Sequence, residues 1–438
     1  MMHNKTGMYV LLVVMLFLGG CAGVPGPQVP DQVAPLMVEQ ELSEESLLNV
    51  SIRIFEPGQL PSDAKKARGL SRNIREAEAR FIPIHLKYTL QRTGYWGMVR
   101  VVPDDDVGTD LLVKGRIVYS DGESLTLEIE AVDSTNRLWL KKQYAETASP
   151  QEHEKGVQGE IDVFQDMFYT IANDLALARQ RLTPDNIAEI RHVAELRYAS
   201  TMIPDAFADN LRQDNSGRYH LDHMPDPEDP MLNRLAAIQA RDDLLLDTIN
   251  GYYDAYYQDL WEPYTDWRKF RTEELITLHD LERQAMTRQV LGAAAIVGAI
   301  ALGLTANADT IRRTGTLRDV MVMGGAAAIY SGSQKREESK INREVIEELG
   351  ASFSSEAEPL VVEVQGETMR LTGTAEQQYA RWRSILREMY ARESGLLPPS
   401  AQDEEKNILP EQQRSFTEPL PLSQPIQPRT ALKKNEDK

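Results

Sequence analysis

LLVKGRIVYSDGESLTLEIEAVDSTNRLWLKKQY, residues Leu111 to Tyr144, decides the fold. It contains three runs of alternating or β-branched apolar residues, Leu111 to Tyr119, Leu125 to Val132 and Leu138 to Tyr144. Asp121-Gly122 separates the first two, and Ser134-Thr135-Asn136 the last two. These residue types accept the left-handed backbone of tight turns. Strands joined so closely pair antiparallel, and the stretch predicts a meander.

Upstream, Val50, Ile52 and Ile54 alternate with Ser51, Arg53 and Phe55, which predicts a half-buried strand stopped by Pro57-Gly58. From Ile74 to Thr93 the residues Ala77, Phe81, Ile84, Leu86, Tyr88 and Leu90 predict a helix, kinked or restarted at Pro83 and ended by Gly94. Trp96 to Val102 reads as a strand closed by Pro103. Downstream, Phe164, Met167, Phe168, Ile171 and Leu175 share one face of a helix over Ile161 to Leu182. The order is strand, helix, four strands, helix. Its apolar strand faces and two helices are sufficient to close a core, so residues 47–182 are expected to fold alone, with Trp96 and Trp139 at least partly buried.

That order resembles the amino-terminal domain of the Tol-system translocation protein. The same α/β plan occurs in curli-secretion lipoproteins and in lipoprotein activators of penicillin-binding proteins. The residues that carry the resemblance are Gly94-Tyr95-Trp96-Gly97, the run Thr109-Asp110-Leu111-Leu112-Val113-Lys114-Gly115, and the hairpin around Asp121-Gly122. It covers about a third of the chain. It implies a periplasmic binding or scaffolding module and brings no active site.

The rest of the chain is mostly helical. Thr183-Pro184-Asp185 starts a helix that runs to about Thr201. Asp214 to Pro230 reads as a polar loop, and Met231 to Gln289 as helix interrupted by Gly251 and Pro263. Val290 to Ala308 and Val320 to Ser333 are hydrophobic and rich in small residues. A charged helix follows over Lys335 to Leu349, then a hairpin of Leu360 to Val364 and Thr368 to Thr372, then a helix over Ala375 to Glu393. The tail from Leu396 has seven prolines in 43 residues and reads as disordered. The expected class is α+β. An amino-terminal α/β domain with an antiparallel meander precedes a mostly α-helical domain with a small β-hairpin. The expected divisions are 1–20, 21–46, 47–182, 183–289, 290–333, 334–395 and 396–438.

The first 20 residues fix the expected address. Lys5 precedes an apolar stretch from Met8 to Leu18, then Gly19-Gly20. This is the plan of a secretory signal, with an apolar run too short for a comfortable membrane span. Leu18-Gly19-Gly20-Cys21 resembles the lipobox of bacterial lipoproteins. The resemblance implies that the Cys21 thiol takes a diacylglyceryl group, that the peptide is cut before Cys21, and that the new amino group is acylated. Three acyl chains make an essentially permanent anchor. Ala22, not Asp, follows, which implies sorting to the outer membrane. Gly23 to Glu45, with Pro25, Pro27, Pro30 and Pro35, reads as an extended tether.

Composition excludes several functions. With 67 acidic and 48 basic residues the net charge is -19, opposite to what nucleic-acid binding needs. One cysteine excludes a disulfide framework and any multi-cysteine metal site. His220, Asp222, His223, Asp226, Glu228 and Asp229 include metal-ligand types but lie among Pro225, Pro227 and Pro230, and read as an acidic surface loop. Asp104, Asp105 and Asp106 lack the alternating spacing and distal glutamate of an EF-hand and read as a solvated turn. No metal or cofactor is expected. No nucleophile elbow, phosphate loop or dinucleotide fingerprint occurs, so no enzymatic activity is expected.

Two constellations remain. Tyr252, Tyr256, Trp261 and Trp267, with Tyr253, Tyr257 and Tyr264, form an aromatic run at helical spacing. Packing against neighbouring helices is its default reading, and a glycan or partner surface the alternative. Ala295, Ala299 and Gly303 in one hydrophobic segment, and Gly324, Ala328 and Gly332 in the other, recur every four residues and so share a helix face. Such seams let backbones approach closely, within a buried hairpin, between copies or in lipid. The expected function is a non-catalytic, lipid-anchored scaffold or assembly factor of the outer membrane's periplasmic face. Its expected partners are the membrane, other envelope proteins and copies of itself. The alternatives are an inserted oligomeric secretion or channel accessory, and a peptidoglycan-binding or peptidoglycan-modifying protein.

Overall fold

In the computed structural model, strand β1 (Val50–Arg53) lies between β2 (Val99–Val102) and β3 (Leu111–Ser120) and is parallel to both. The described residues are 27–62, 67, 70–105, 108–149, 161–202, 207, 209–226, 229–301, 341–351, 360–364 and 367–393, with backbone alone over 278–301 and at 361, 363, 364, 367 and 368. β4 (Ser124–Asp133) and β5 (Leu138–Thr147) continue antiparallel from β3, giving the order β2-β1-β3-β4-β5. The meander is as the sequence predicts. β1 is not half-buried: Ser51 is buried along with Val50 and Ile52, because a central parallel strand is covered on both faces.

The turns use the expected chemistry. Asp121 Oδ1 accepts hydrogen bonds from the backbone N–H groups of Glu123 (3.1 Å) and Ser124 (2.8 Å). Asn136 takes φ 65° in the second turn. Asp133 receives the indole N–H of Trp139 at 2.8 Å, and Trp96 lies 6.3 Å from Trp139. Trp96 is buried and Trp139 half-buried.

Helix α1 (Arg72–Thr93) passes Pro83 without a break and ends on Gly94 at φ 76°. α2 (Gln165–Gln180) packs beside α1 and β5. α3 (Pro184–Met202) starts where Thr183 Oγ1 accepts the Asn186 N–H at 3.2 Å. A hairpin joins β6 (Leu211–Gln213), just before the expected polar loop, to β7 (Tyr219–Leu221) within it. Its strands are too short to show an alternating pattern.

α4 runs without interruption from Pro230 to Ala301, 72 residues, through both Gly251 and Pro263. At about 1.5 Å per residue it is roughly 108 Å long. Gly251 is on its exposed side, where the cost of glycine is only about 1 kcal/mol. Around Pro263, buried Tyr256, Leu260, Tyr264 and Trp267 anchor the adjoining turns. The expected break at residue 290 is likewise absent, since the helix carries on to 301. Among the described residues no helix is long and apolar enough to cross a membrane. α5 covers residues 341–351. β8 (Leu360–Val364) pairs with β9 (Glu367–Leu371), one residue earlier than expected, and α6 (Ala375–Glu393) follows.

One hydrophobic cluster contains Ile52, Phe81 and Phe168 of the α/β region together with Tyr253, Tyr264, Trp382 and Tyr390 of the later helices. The chain divides into two compact units only after Tyr390.

The expected tether is, from residue 27, a strap laid on the body. Gln28 bridges Ala145 in parallel, with Val29 N–H to Ala145 O at 2.8 Å and Ala145 N–H to Pro27 O at 3.1 Å. The Gln32 and Val33 N–H groups donate to the Asp166 carboxylate at 2.7 and 2.9 Å. The Leu36 N–H donates to Asn173 Oδ1 at 2.7 Å, and the Val38 N–H to Thr93 O at 2.9 Å. The strap is held by backbone groups and by Val29, Leu36 and Val38, which pack against the core at irregular spacing, so it shows no amphipathic period.

Candidate functional site: the seat of the long helix

α4 crosses the α/β body antiparallel to α1 and covers it with side chains of two kinds. The first kind is aromatic. Phe81 of α1 lies 4.6 Å from Tyr257, 4.8 Å from Tyr264 and 6.0 Å from Trp261, centroid to centroid. Tyr253, Tyr256, Tyr264 and Trp267 are buried, while Tyr252 and Trp261 are half-buried. The four residues Tyr252, Tyr256, Trp261 and Trp267 therefore do not form one open surface. The stripe faces inward because it is a broad apolar face of α4 opposite α1, and glycan rings have no access to Tyr256 or Trp267.

The second kind is charged. Arg268 and Asp162, both buried, meet through two hydrogen bonds of 2.8 and 3.1 Å. The guanidinium stacks 4.2 Å above the Tyr264 ring. Burial opposes the charge on each, but each partner more than offsets this: the Arg268 pKa is held above its ordinary value and the Asp162 pKa below. Glu78 of α1, also buried, receives Ser120 Oγ at 2.5 Å and the Tyr264 hydroxyl at 2.9 Å, and lies 3.3 Å from Arg75. Burial and then Glu78 push the Tyr264 hydroxyl well above the usual tyrosine range.

His85 completes the layer. Its Nδ1 pairs with the Tyr257 hydroxyl at 2.7 Å and its Nε2 with Gln165 at 2.9 Å. Burial holds its pKa below 6.5, against the opposing pull of Asp162. Lys87 pairs with Asp254 further along. At the sheet edge Asn250 bonds the backbone of Val101, and Arg100 bridges Asp243 (2.5 Å) and Asp247 (2.8 Å). Each ring nitrogen of His85 and each carboxylate oxygen of Asp162 has a partner within the protein. Such an arrangement fixes the position and register of a helix.

The other candidate residues are placed as follows. Cys21, Gly303, Gly324, Ala328 and Gly332 lie outside the described residues. Ala295 and Ala299 are on the backbone of α4, one turn apart. His220 Nε2 pairs with Asp214 at 2.9 Å and Asp222 with Arg212 at 3.3 Å, so the loop's ligand types face separate partners. Among the described residues no group of three or more His, Cys, Asp or Glu side chains could hold a metal ion. Asp105 bridges Arg53 (2.9 Å) and Lys114 (2.5 Å), while Asp106 is outside the described residues.

Sequence reasoning passes over Glu78, His85, Asp162, Asn250 and Arg268. For Arg268 a signal is available: Tyr257, Trp261, Tyr264 and Arg268 follow one another at spacings of four, three and four, so the arginine occupies the aromatic face. Glu78, between Ala77 and Ala79 on a helix otherwise turned to the core, carries a weaker one.

Comparison of the chain with protein-family models, with curated proteins and with solved structures finds no match.

Proposed function

We propose that this protein is a lipid-anchored scaffold of the bacterial envelope. Cys21 carries the acyl chains, the body sits on the periplasmic face of the outer membrane, and α4 is the rigid element it presents. The observation that carries the reading is the seat of α4. A 72-residue helix is bound to a mixed sheet domain by a buried bidentate ion pair, a half-buried one and stacked rings. Burying such pairs contributes little net stability compared with apolar packing, but it specifies one position and one register. A fixed long helix suits assembly of other proteins rather than turnover of a substrate. The lone cysteine directly after an apolar leader supports the anchor.

The test has two parts. Cells fed a fatty-acid analogue should label the wild-type protein and not Cys21→Ala; label on Cys21→Ala refutes the anchor, since no other thiol exists. Purified protein incubated with sacculi should release no muropeptides, and release would replace the scaffold reading with an enzymatic one. Mass spectrometry of material co-purified from membranes then identifies what is assembled.

A further inference from the structure

β5 is the outer strand of the sheet on the side away from β2. Among the described residues its free edge is covered at one position. Ala145 donates to Pro27 O and accepts the Val29 N–H, the bonding of a parallel strand. Alternate residues of a strand turn both backbone groups to the same side, so those of Gln143 and Lys141 face this edge too. No described residue bonds them. Such unpaired groups are a template for a further strand.

At the start of β5 the edge runs into a cleft of about 180 Å³ lined by Arg137, Trp139, Ala178, Arg181 and Leu182. A β-bulge shapes it: Leu138 pairs with Val132 and Leu140 with Ala131, which leaves Trp139 without a partner on β4. Bulges re-aim side chains in this way. Leu138 and Leu177, each adjacent in sequence to a lining residue, are 55% and 43% exposed. The chain has 67 acidic residues against 48 basic, yet the guanidinium groups of Arg137 and Arg181 have no partner among the described residues. The acids nearby are already engaged. Asp133 accepts from the Trp139 indole, the Thr135 hydroxyl and the Arg137 backbone, and Asp174 from Lys142 and Tyr144.

Two cations beside apolar walls complement a residue that carries an apolar side chain and a carboxylate on one carbon. That is the last residue of a polypeptide. An internal Asp or Glu spends its side chain on the carboxylate and leaves the walls unfilled. Naming the partner class of the scaffold proposed above, and resting on that reading, we infer that the carboxyl-terminal segment of another protein adds to β5 as an antiparallel strand. Its terminal carboxylate meets Arg137 and Arg181, and its last side chain meets Trp139, Ala178 and Leu182. Its preceding backbone groups pair with Lys141 and Gln143. The segment runs antiparallel because the cleft lies at the start of β5, so it must end there. The strap at Ala145 bounds the other end, and Trp139 to Gln143 spans about 17 Å, the length of a short tail.

The experiment uses the full-length protein in detergent and fluorescein-labelled peptides of the sequence Ser-Val-Thr-Val-Thr, extended by Leu, Phe or Val, read by fluorescence anisotropy. Each is made with a free carboxyl terminus and as the carboxamide. A further carboxamide ends in Glu and so offers a side-chain carboxylate alone. At least one free acid should bind about ten-fold or more tighter than its carboxamide and than the Glu peptide. Arg137→Ala and Arg181→Ala should each weaken it by about ten-fold or more. Arg72→Ala removes the same charge from an exposed position at the start of α1 and should leave binding unchanged. Failure of all three free acids to bind at about 1 mM, or equal binding of the carboxamides or the Glu peptide, overturns the proposal. Binding that Arg72→Ala weakens as much as Arg137→Ala also overturns it, since the attraction is then diffuse. The same preparation is incubated with sacculi. Absence of both peptide binding and muropeptide release overturns the docking site and leaves the scaffold standing, whereas binding together with release overturns the scaffold and leaves the site.

Discussion

Asn250 hydrogen-bonds both polar groups of Val101: its Oδ1 accepts the Val101 N–H at 2.9 Å and its Nδ2 donates to the Val101 carbonyl at 3.0 Å. β2 is the edge of the sheet, and the carboxamide supplies to it what a neighbouring strand would have supplied. The helix thereby closes an edge that is otherwise open to other chains. Asn250→Leu keeps the volume and leaves two buried backbone groups unsatisfied. It should cost about 2–6 kcal/mol in chemical denaturation, at roughly 1–3 kcal/mol for each group. A loss below about 0.5 kcal/mol would mean that water replaces the carboxamide at no cost.

The Arg268–Asp162 pair predicts a non-additive mutant set. Arg268→Met leaves an uncompensated carboxylate among apolar groups, and should destabilise the protein by about 3–5 kcal/mol. Asp162→Leu should do the same for the opposite charge. The double variant should recover most of the loss, because neither charge then remains to be desolvated. Additive losses in a double-mutant cycle would show that the two side chains act separately.

His85 predicts a pH dependence. Burial holds its folded pKa below 6.5, so the unfolded chain binds a proton that the folded chain refuses. Stability from this group is complete above about pH 6.5 and declines as the pH falls, by up to about 1.4 kcal/mol per pH unit, until the folded group also protonates. The groups facing the ring are Asp162, Gln165, Tyr257, Arg92 and Arg268, and the first of these resists the shift. Denaturation midpoints of His85→Gln should be flatter than wild type between about pH 6.5 and 5. An unchanged slope would assign the dependence to other groups.

The meander, α1 and its Gly94 cap, and the turns at Asp121 and Asn136 are legible in sequence because each depends on residues a few positions apart. The seat of α4 is not, because it joins residues 106 to 186 positions apart, such as Asp162 with Arg268 and Glu78 with Tyr264. Gly251 and Pro263 suggest breaks that packing overrides, since burial of the aromatic face outweighs one glycine and one lost hydrogen bond. The strap is invisible for another reason. Its partners, Asp166 and Asn173, are polar side chains on the outside of α2, and nothing in residues 27–38 marks them.

The seat also bears on what is an independent unit. By pattern, residues 47–182 contain enough apolar strand and helix to fold alone. In the structure that segment includes Glu78, His85 and Asp162, all buried, whose partners Tyr264, Tyr257 and Arg268 belong to α4. Removing the helix uncovers Phe81 and strips three polar groups of their contacts, although water then reaches them and softens the penalty. Fragment 47–182 should therefore melt roughly 10–20 °C below the protein lacking only residues 1–20, as a loss of about 4 kcal/mol in a domain of this size implies. The fluorescence of Trp96 and Trp139, both present in the fragment, reports the transition. Supplying a fragment that begins at Pro230 and contains the rest of α4 should raise that midpoint, and the same fragment with Arg268→Met should raise it less. Cooperative melting of 47–182 at the temperature of the longer protein would show that the buried charges contribute register alone and no stability.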